Sequence, residues 1–260
     1  MLHNLFCYNV SMKKVIVLNK KEGQTPLQAL QLFRRKNKKY QDSKMTYAGR
    51  LDPMASGLLL LLVDEKIKDK EEFLGLDKEY NFEILFGFAT DTYDILGKIK
   101  EKDLIKIKRE KIKKDIENEL KDFKGKIKQK YPAYSSKTVK GKPLFYYARK
   151  GEDIEPPERL VEIKKIKFLK IKKIKGQKLI QEINKRINKV KGDFRQKEIK
   201  ESWLDKIDKK ESYFIASFNI KCSSGTYVRA LANTLGQKIK IPTLAYKIER
   251  IKIGKYKIKK

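Results

Sequence analysis

An unbroken apolar run, Leu58–Val63, directly follows a segment of small and polar residues that spans 46–57. The run has the length of a β-strand buried on both faces, and it is too short to span a membrane. In the preceding segment, Pro53 restricts Asp52 to an extended or turn conformation. The glycines on either side permit a positive φ or the close approach of another backbone. The pattern predicts a carboxylate on a constrained loop, although Asp52 taken alone is more simply a turn residue.

Alternating apolar and polar positions predict the remaining strands. These strands lie at residues 15–18, 80–88, 161–171, 214–220 and 244–253. No repeat of domain length and no low-complexity linker separates them. We therefore interpret residues 1–12 as an N-terminal extension and residues 13–260 as one domain.

Apolar positions at helical spacing predict helices between the strands. Thr25 before Pro26 is typical of a helix start, with the Thr side chain as the N-cap. Further helices are predicted over 64–74, 104–123 and 230–236. Residues 175–212 are interpreted as an inserted pair of helices docked on the core, and we expect Gly192 to end the first of them.

Composition narrows the chemistry that the chain can perform. Lys and Arg outnumber Asp and Glu by 64 to 33, which gives a net charge of +31 over 260 residues. So large a positive charge indicates a polyanionic partner such as nucleic acid. His3 is the single histidine, and Cys7 and Cys222 have no second ligand at metal-binding spacing. The sequence thus excludes a zinc site, a Ser-His-Asp triad and a Cys-His pair.

The same features predict where the protein works. Two cysteines in a chain of this size suggest a reducing compartment, and the N-terminus lacks the long apolar core of a signal peptide. No apolar run approaches the length of about 18 residues that a membrane-spanning helix requires. We therefore expect a cytoplasmic monomer that makes no contact with a membrane.

Residues 125–155 differ in composition from the rest of the chain. Aromatic residues are interleaved there with Lys and Arg, and they include Tyr131, Tyr134, Lys137 and Arg149. Aromatic rings suit stacking on bases and cations suit phosphates, which predicts a thumb-like RNA-binding insertion. An ordinary surface loop with half-buried tyrosines is the alternative.

Four separated segments carry motifs that belong together. They are Gly49–Leu58, Lys78–Tyr80 with Leu85–Thr92, Pro132–Arg149, and Cys222–Arg229. In this order and spacing, over roughly residues 13 to 256 apart from the helical insertion, they resemble the TruB-type tRNA pseudouridine synthases. One such segment would be a weak indication, whereas four in the same order are specific.

The resemblance implies an isomerase that converts uridine 55 in the T-loop of tRNA to pseudouridine, without a cofactor or a metal. It implies an α+β fold, in which a mixed, mainly antiparallel β-sheet is flanked by helices and carries a central active-site cleft. By the same analogy, Asp52 is the nucleophile that assists cleavage of the glycosidic bond, and Arg229 is its ion-pair partner. Tyr80 would stack on the flipped-out base and transfer a proton at its carbon.

Other positions match substrate-binding residues of the same family. Tyr227 would pack in the base pocket, and Lys20 matches a position near the site where a structural role is as plausible as a catalytic one. The residues expected to bind the T-arm of tRNA are Tyr47, Arg50, Tyr227, Lys20, Tyr134, Lys137 and Arg149.

Two positions depart from the family pattern, and both precede Asp52. Family members usually approach the aspartate through Gly-His-Thr-Gly, where this chain has Thr46-Tyr47-Ala48-Gly49. Tyr47 thus replaces a histidine that helps to open the T-loop; its ring can still stack, but the hydrogen bonds of an imidazole are lost. Arg50 is more typical of the related RluA-type synthases.

Many family members continue into a small RNA-binding domain of the PUA type, which we expect this chain to lack. We hypothesise that the net charge and the helices within 175–212 compensate for that missing contact with tRNA. Two other functions stay open: pseudouridylation of another RNA, such as ribosomal RNA, and tRNA binding or folding without catalysis. Asp52, Tyr80 and Arg229 disfavour the last, because a buried carboxylate in a basic site is costly unless it has a function.

Overall fold

The computed structural model describes residues 14–103 and 108–258. Its strands are β1 (Val15–Lys20), β2 (Met45–Ala48), β3 (Ala55–Val63), β4 (Lys78–Phe86), β5 (Phe88–Thr90), β6 (Ile99–Lys102), β7 (Gly125–Lys130), β8 (Thr138–Val139), β9 (Lys142–Pro143), β10 (Glu158–Lys175), β11 (Ser212–Cys222), β12 (Thr243–Ile253) and β13 (Tyr256–Lys257). Its helices are α1 (Pro26–Lys36), α2 (Lys70–Gly75), α3 (Arg109–Glu119), α4 (Leu144–Lys150), α5 (Gly176–Ile187), α6 (Gln196–Lys206) and α7 (Val228–Ile239). The predicted extension over 1–12, which contains His3 and Cys7, lies outside the described residues.

Nine of these strands form one mixed sheet in the described part of the chain. Its order is β1-β3-β12-β4-β11-β10-β7, with β2 paired to β3 and β13 paired to β12. The β3–β12 pair is parallel, and the other pairs of this sheet are antiparallel. The predicted α+β fold, with a mixed and mainly antiparallel sheet, is therefore confirmed.

The apolar run at Leu58–Val63 is buried because β3 has a cover on each face. Its odd-numbered residues from 59 to 63 pack in one cluster with Leu30 of α1. Its even-numbered residues pack in another with Phe73 of α2 and Ile253 of β12. α1 begins at the predicted cap, where the Thr25 hydroxyl accepts a hydrogen bond from the backbone N–H of Gln28 and the Gln28 side chain accepts one from the backbone N–H of Thr25, which forms a capping box.

The two faces of the sheet are covered by different helices. On one face, Ile84 and Phe86 of β4 belong to a core that α3 and α7 complete. Leu85 points to the other face, because successive strand residues alternate, and it packs in a cluster with α5 and α6. Trp203 of α6 is fully buried in that cluster, so the helical pair is docked on the core as predicted.

Three helix predictions need correction or limits. The helix expected over 64–74 is instead a 3-10 turn, Asp64–Ile67, followed by α2, and the φ of 50° at Asp64 departs from the right-handed α-helical geometry that one continuous helix would need there. α5 ends at Ile187 rather than at Gly192, and Val190 reaches the same core from the following loop. The first residues of the helix predicted over 104–123 lie outside the described part.

Candidate active site

The loop between β2 and β3 presents Asp52 and is fastened to the sheet. Arg250 of β12 is buried and donates three hydrogen bonds, over 2.8–3.3 Å, to backbone carbonyl oxygens on either side of Asp52. The acceptors are Gly49, Arg50 and Leu58. From the other side, the backbone N–H of Gly23 donates to the carbonyl oxygen of Pro53 at 2.8 Å. These bonds fix the loop before any substrate arrives.

Gly57 permits the close contact between β3 and β12 beneath this loop. It lies opposite Arg250 in the parallel pair, and its φ is +103°. A Cβ atom at this position would overlap the carbonyl oxygen of Arg250. The prediction that a glycine beside Asp52 admits another backbone is thus confirmed.

Arg229, in the first turn of α7, forms an ion pair with Asp52. Its Nε donates to Asp52 Oδ2 at 2.8 Å, while Nη1 and Nη2 donate to the carbonyl oxygens of Thr92 and Tyr134 at 2.7 and 3.0 Å. The Arg229 side chain is 3% exposed, whereas that of Asp52 is 36% exposed. The guanidinium is therefore a fixed internal group, and the carboxylate faces solvent and any ligand.

A cavity of about 390 Å³ opens on one side of Asp52. We call it the tyrosine pocket, and its walls include Asp52, Tyr80, Tyr131, Tyr227, Arg159 and Arg250. Gln129 of β7 holds the backbone of Tyr227 with two hydrogen bonds, at 2.8 and 3.1 Å. The rings of Tyr131 and Tyr227 meet edge to face at 5.6 Å. Aromatic walls around a carboxylate suit a planar base.

A second cavity, of about 420 Å³, opens on the other side of Asp52. We call it the arginine pocket, and its walls include Asp52, Arg229, Tyr134, Arg149, Phe194 and Arg195. Phe194 and Arg195 come from the loop between α5 and α6. The helical insertion therefore reaches the vicinity of Asp52 and supplies part of this pocket.

Two contacts hold that loop against the rest of the arginine pocket. Arg195 Nη1 lies 2.8 Å from Asp91 Oδ2, and its guanidinium lies 4.4 Å from the centre of the Tyr134 ring. Arg149 Nη2 of α4 donates to the carbonyl oxygen of Asp193 at 2.8 Å. The insertion is thus connected to the 131–151 region at the pocket wall.

The residues expected from the sequence divide between the two pockets. Asp52 and Arg50 line both pockets. The residues Tyr80, Tyr227 and Lys137 line the tyrosine pocket, and the residues Tyr47, Tyr134, Arg149 and Arg229 line the arginine pocket.

Lys20 lines neither pocket. It is fully buried, and its Nζ donates to the carbonyl oxygens of Lys21 and Gln24 at 3.1 and 2.6 Å. Burial lowers the pKa of Lys20 to about 8, against the opposing effect of the Asp52 charge. Its contacts stabilise the turn whose Gly23 bonds the Asp52 loop.

Burial and charge set the protonation of the groups around Asp52. Burial disfavours the charged form of Arg229, yet the charges of Asp52 and Asp94 raise its pKa above the ordinary value. Burial raises the pKa of Tyr80, so that its phenol stays protonated at neutral pH. Asp94 is buried behind the ion pair, and burial raises its pKa to about 6 despite the charge of Arg229.

Sequence reasoning missed Arg250, Arg159, Phe194 and Arg195. One signal for Arg250 exists, since it occupies the inward position of the β12 alternation after Tyr246 and Ile248. A buried Arg in an apolar register needs partners, which here are the carbonyls of the Asp52 loop. Phe194 and Arg195 lie in a polar loop with no local pattern that points to the site.

The described residues include neither a metal-binding group of side chains nor a helix that could cross a membrane. Within 14–103 and 108–258, no group of three or more His, Cys, Asp or Glu side chains is arranged to hold a metal ion. None of the helices that the structure describes is both long and apolar enough to cross a membrane.

Comparison with known proteins gives the family. The model of the TruB family pseudouridylate synthase N-terminal domain matches residues 35–175. The chain belongs to the TruB family. Among curated TruB relatives, tRNA pseudouridine synthase B of Caldicellulosiruptor saccharolyticus is 32% identical over 248 residues, which cover 95% of this chain and 70% of the relative. The enzyme of the same name from Lactobacillus acidophilus is 33% identical over 238 residues, 91% of this chain and 67% of the relative.

Solved structures share the TruB chain's fold at lower identity. A chain in a crystal structure of a Cbf5-Nop10-Gar1 complex matches with a TM-score of 0.56 and 18% identity. The match covers 94% of this chain and 50% of the matched chain in that complex. At this identity the likeness shows the fold alone.

Proposed function

We propose that this chain isomerises uridine to pseudouridine in tRNA, and that its target is uridine 55 of the T-loop. The observation that carries the proposal is the Asp52–Arg229 ion pair at 2.8 Å, beside a pocket walled by tyrosines and cations. The curated relatives are named tRNA pseudouridine synthase B, which supports tRNA as the substrate. The net charge of +31 provides the attraction to a polyanion.

The reaction rearranges bonds within one nucleotide. With the assistance of Asp52 as nucleophile, the bond between uracil N1 and ribose C1′ breaks. The freed uracil turns in the tyrosine pocket, and its C5 forms the new bond to C1′. C5 then loses its proton and N1 gains one, so that atoms and electrons balance without any co-reactant.

Arg229 and Tyr80 have separate roles in this proposal. The guanidinium is bonded through all three of its nitrogens, so it holds the Asp52 carboxylate in one orientation. Tyr80 stacks on the uracil and relays the C5 proton, its oxygen accepting that proton as the hydroxyl proton it already carries is released to solvent. Its raised pKa keeps the phenol neutral, which suits a group that lies against an apolar base face.

The remaining expected residues bind the tRNA around the flipped base. Tyr227 packs against the uracil, while Arg50 and Lys137 meet phosphates at the mouth of the tyrosine pocket. Tyr47, Tyr134 and Arg149 contact nucleotides that flank the target on the arginine-pocket side. Lys20 acts through the turn that holds the Asp52 loop. The chain works in the cytoplasm. It works there as a monomer, and sedimentation of the protein with and without tRNA tests this oligomeric state.

Asp52→Asn tests the function directly. The amide keeps the shape of the carboxylate but removes its negative charge and its nucleophilicity. We expect product formation on a tRNA transcript to fall on the order of 10⁴-fold, while tRNA affinity stays within about threefold. Release of tritium from uracil C5 and mapping of the modified position measure the reaction.

The control for this variant is Asp42→Asn, which removes an exposed carboxylate outside both pockets. We expect it to retain full activity. A wild-type protein that binds tRNA but yields no pseudouridine would leave only the non-catalytic function, and modification of ribosomal RNA instead would overturn the tRNA target.

A further inference from the structure

Besides the exposed Arg50, three arginine side chains lie at the tyrosine pocket or the Asp52 loop, and Arg159 alone among these three has no hydrogen bond to the described residues. Arg229 and Arg250 each use Nε, Nη1 and Nη2 as hydrogen-bond donors within the protein. Among the described residues, no carboxylate forms an ion pair with Arg159, and its buried Nε has no hydrogen-bond partner. Because Nε is closed off from solvent, a ligand at the pocket would bond the remaining donors of this guanidinium, Nη1 and Nη2.

The position of the Arg159 guanidinium is built into the fold. Arg159 lies in β10, and its side chain crosses the motif that precedes α7 at Gly225. Gly225 has a φ of +76°, and a Cβ atom there would overlap the guanidinium. The absence of a side chain at Gly225 therefore makes the space that Arg159 occupies at the pocket wall.

Charge indicates the kind of ligand. Asp52 is the carboxylate in the wall of the tyrosine pocket, and Arg229 already neutralises it. Arg159 and Lys137 both lie over the Tyr131 ring, at 5.9 and 5.6 Å from its centre. Two unpaired cations on one ring favour an anion, and the guanidinium fork matches phosphate oxygens. A neutral uracil would leave both charges unpaired.

We propose that Arg159, assisted by Lys137, binds a backbone phosphate of the RNA strand next to the uridine that occupies the tyrosine pocket. The proposal rests on the proposed function, because the phosphate belongs to the same substrate. Arg159 is thus a substrate-binding residue that fixes the strand on the Tyr131 side of Asp52, opposite the arginine pocket.

The test is the salt dependence of tRNA binding by Arg159→Gln. Loss of one phosphate contact is expected to weaken binding about tenfold near physiological salt and to reduce the slope of log K against log salt by about 1. The single-turnover rate at saturating enzyme is expected to stay within about threefold of wild type. Lys210→Gln, which removes an exposed lysine outside both pockets, controls for the change in net charge and is expected to keep the slope.

Two further variants separate position from charge. Arg159→Lys keeps the charge and is expected to keep the slope while losing part of the affinity, because the fork is gone. Gly225→Ala displaces the guanidinium and is expected to add little to Arg159→Gln when the two are combined. Thermal unfolding of every variant confirms that the protein is folded.

The outcomes distinguish this inference from the function. An unchanged slope together with a slower single-turnover rate would indicate a contact with the base and overturn the phosphate assignment. An unchanged slope, affinity and rate would overturn any substrate contact of Arg159, even though wild-type protein makes pseudouridine. A wild-type protein without activity on tRNA would instead count against the proposed function.

Discussion

The tyrosine pocket and the arginine pocket share Asp52 but are built from different parts of the chain. The first takes much of its wall from β4, β10, β12 and the segment that leads into α7, which join in the central sheet or its core, with further residues from the Asp52 loop and from the loop that carries Tyr131 and Lys137. The second takes its outer wall from α4 and from the α5–α6 loop, which ion pairs and single hydrogen bonds attach. The tyrosine pocket thus rests largely on the central sheet, whereas the outer wall of the arginine pocket rests on a helix and a loop outside it.

Arg229 bonds Asp52, which lines both pockets, and among the changes that compare the pockets its substitution has the largest expected effect. Arg229→Lys keeps a charge, but an ammonium cannot bond Asp52 and two carbonyl oxygens with the same geometry. We expect activity to fall by at least about a hundredfold and the free energy of unfolding to fall by about 3 kcal/mol, because buried acceptors lose their donor. Single-turnover assays and urea unfolding measure the two effects. If Arg229→Lys retained its activity, the Asp52–Arg229 ion pair would not be required for the reaction.

Trp203→Ala tests whether the insertion can be loosened without harming the chemistry. Trp203 is fully buried, donates from Nε1 to the carbonyl oxygen of Ile95 at 3.2 Å and contacts Phe88. We expect a loss of about 3–5 kcal/mol in the free energy of unfolding, with the single-turnover rate preserved in the folded protein. Leu204→Ala, at a neighbouring exposed position, is the control and is expected to cost less than about 0.5 kcal/mol. A rate that falls with Trp203 would mean that the two pockets are not separable.

Asp94 gives the comparison a pH dependence. The pKa of Asp94 is about 6 in the folded protein, above its ordinary value of 3.8, so the folded state binds this proton more tightly. That stabilisation is present at low pH and is lost as the pH rises from about 4 to 6, by at most about 3 kcal/mol. Asp94→Asn removes the titration, so wild-type stability relative to this variant is expected to decline across that range. Parallel stability profiles from pH 4 to 7 would contradict the expectation.

Arg195→Ala has the smallest expected effect and bears on the arginine pocket alone. It removes the ion pair with Asp91 and the stacking on Tyr134, both on a partly exposed wall. We expect tRNA affinity to fall about fivefold, an effect of about 1 kcal/mol, with no change in the single-turnover rate. Lys197→Ala, at an exposed position just after the loop, is the matched control. A change in rate without a change in affinity would assign Arg195 to the chemistry instead.

The sequence could predict the elements that local pattern determines. The apolar run of β3, the capped start of α1 and the alternation of β4 each have a period or a cap that identifies them, and the four motifs indicate Asp52, Tyr80 and Arg229 as a set. The α+β class came from the family resemblance that these motifs carry. Their partners across the chain were harder to predict, because no local pattern says which strands will be neighbours.

Arg250 and Arg195 illustrate two reasons why contacts at the site could not be predicted from the sequence. The sequence indicated that Arg250 is buried, because it occupies an alternating position that is otherwise apolar. Its hydrogen-bond acceptors in the Asp52 loop could not be predicted, because they lie about 200 positions earlier in the chain. Arg195 carried none, because its contact with Asp91 depends on how the helical pair docks on the sheet. Arg159 belongs with Arg195, since only the overlap with Gly225 reveals its location.

The parallel pairing of β3 with β12 has a consequence for synthesis. The Asp52 loop leaves the ribosome early during synthesis, but the side chain that holds it by hydrogen bonds belongs to residue 250. In the sheet order β3-β12-β4, the late strand β12 lies between two strands that are synthesised early. β3 and β4 therefore cannot complete their pairing in the sheet until β12 has been made. A nascent chain interrupted before Arg250 would contain the Asp52 motif but lack the side chain that holds its loop, so we expect no isomerase activity until residue 250 has been made.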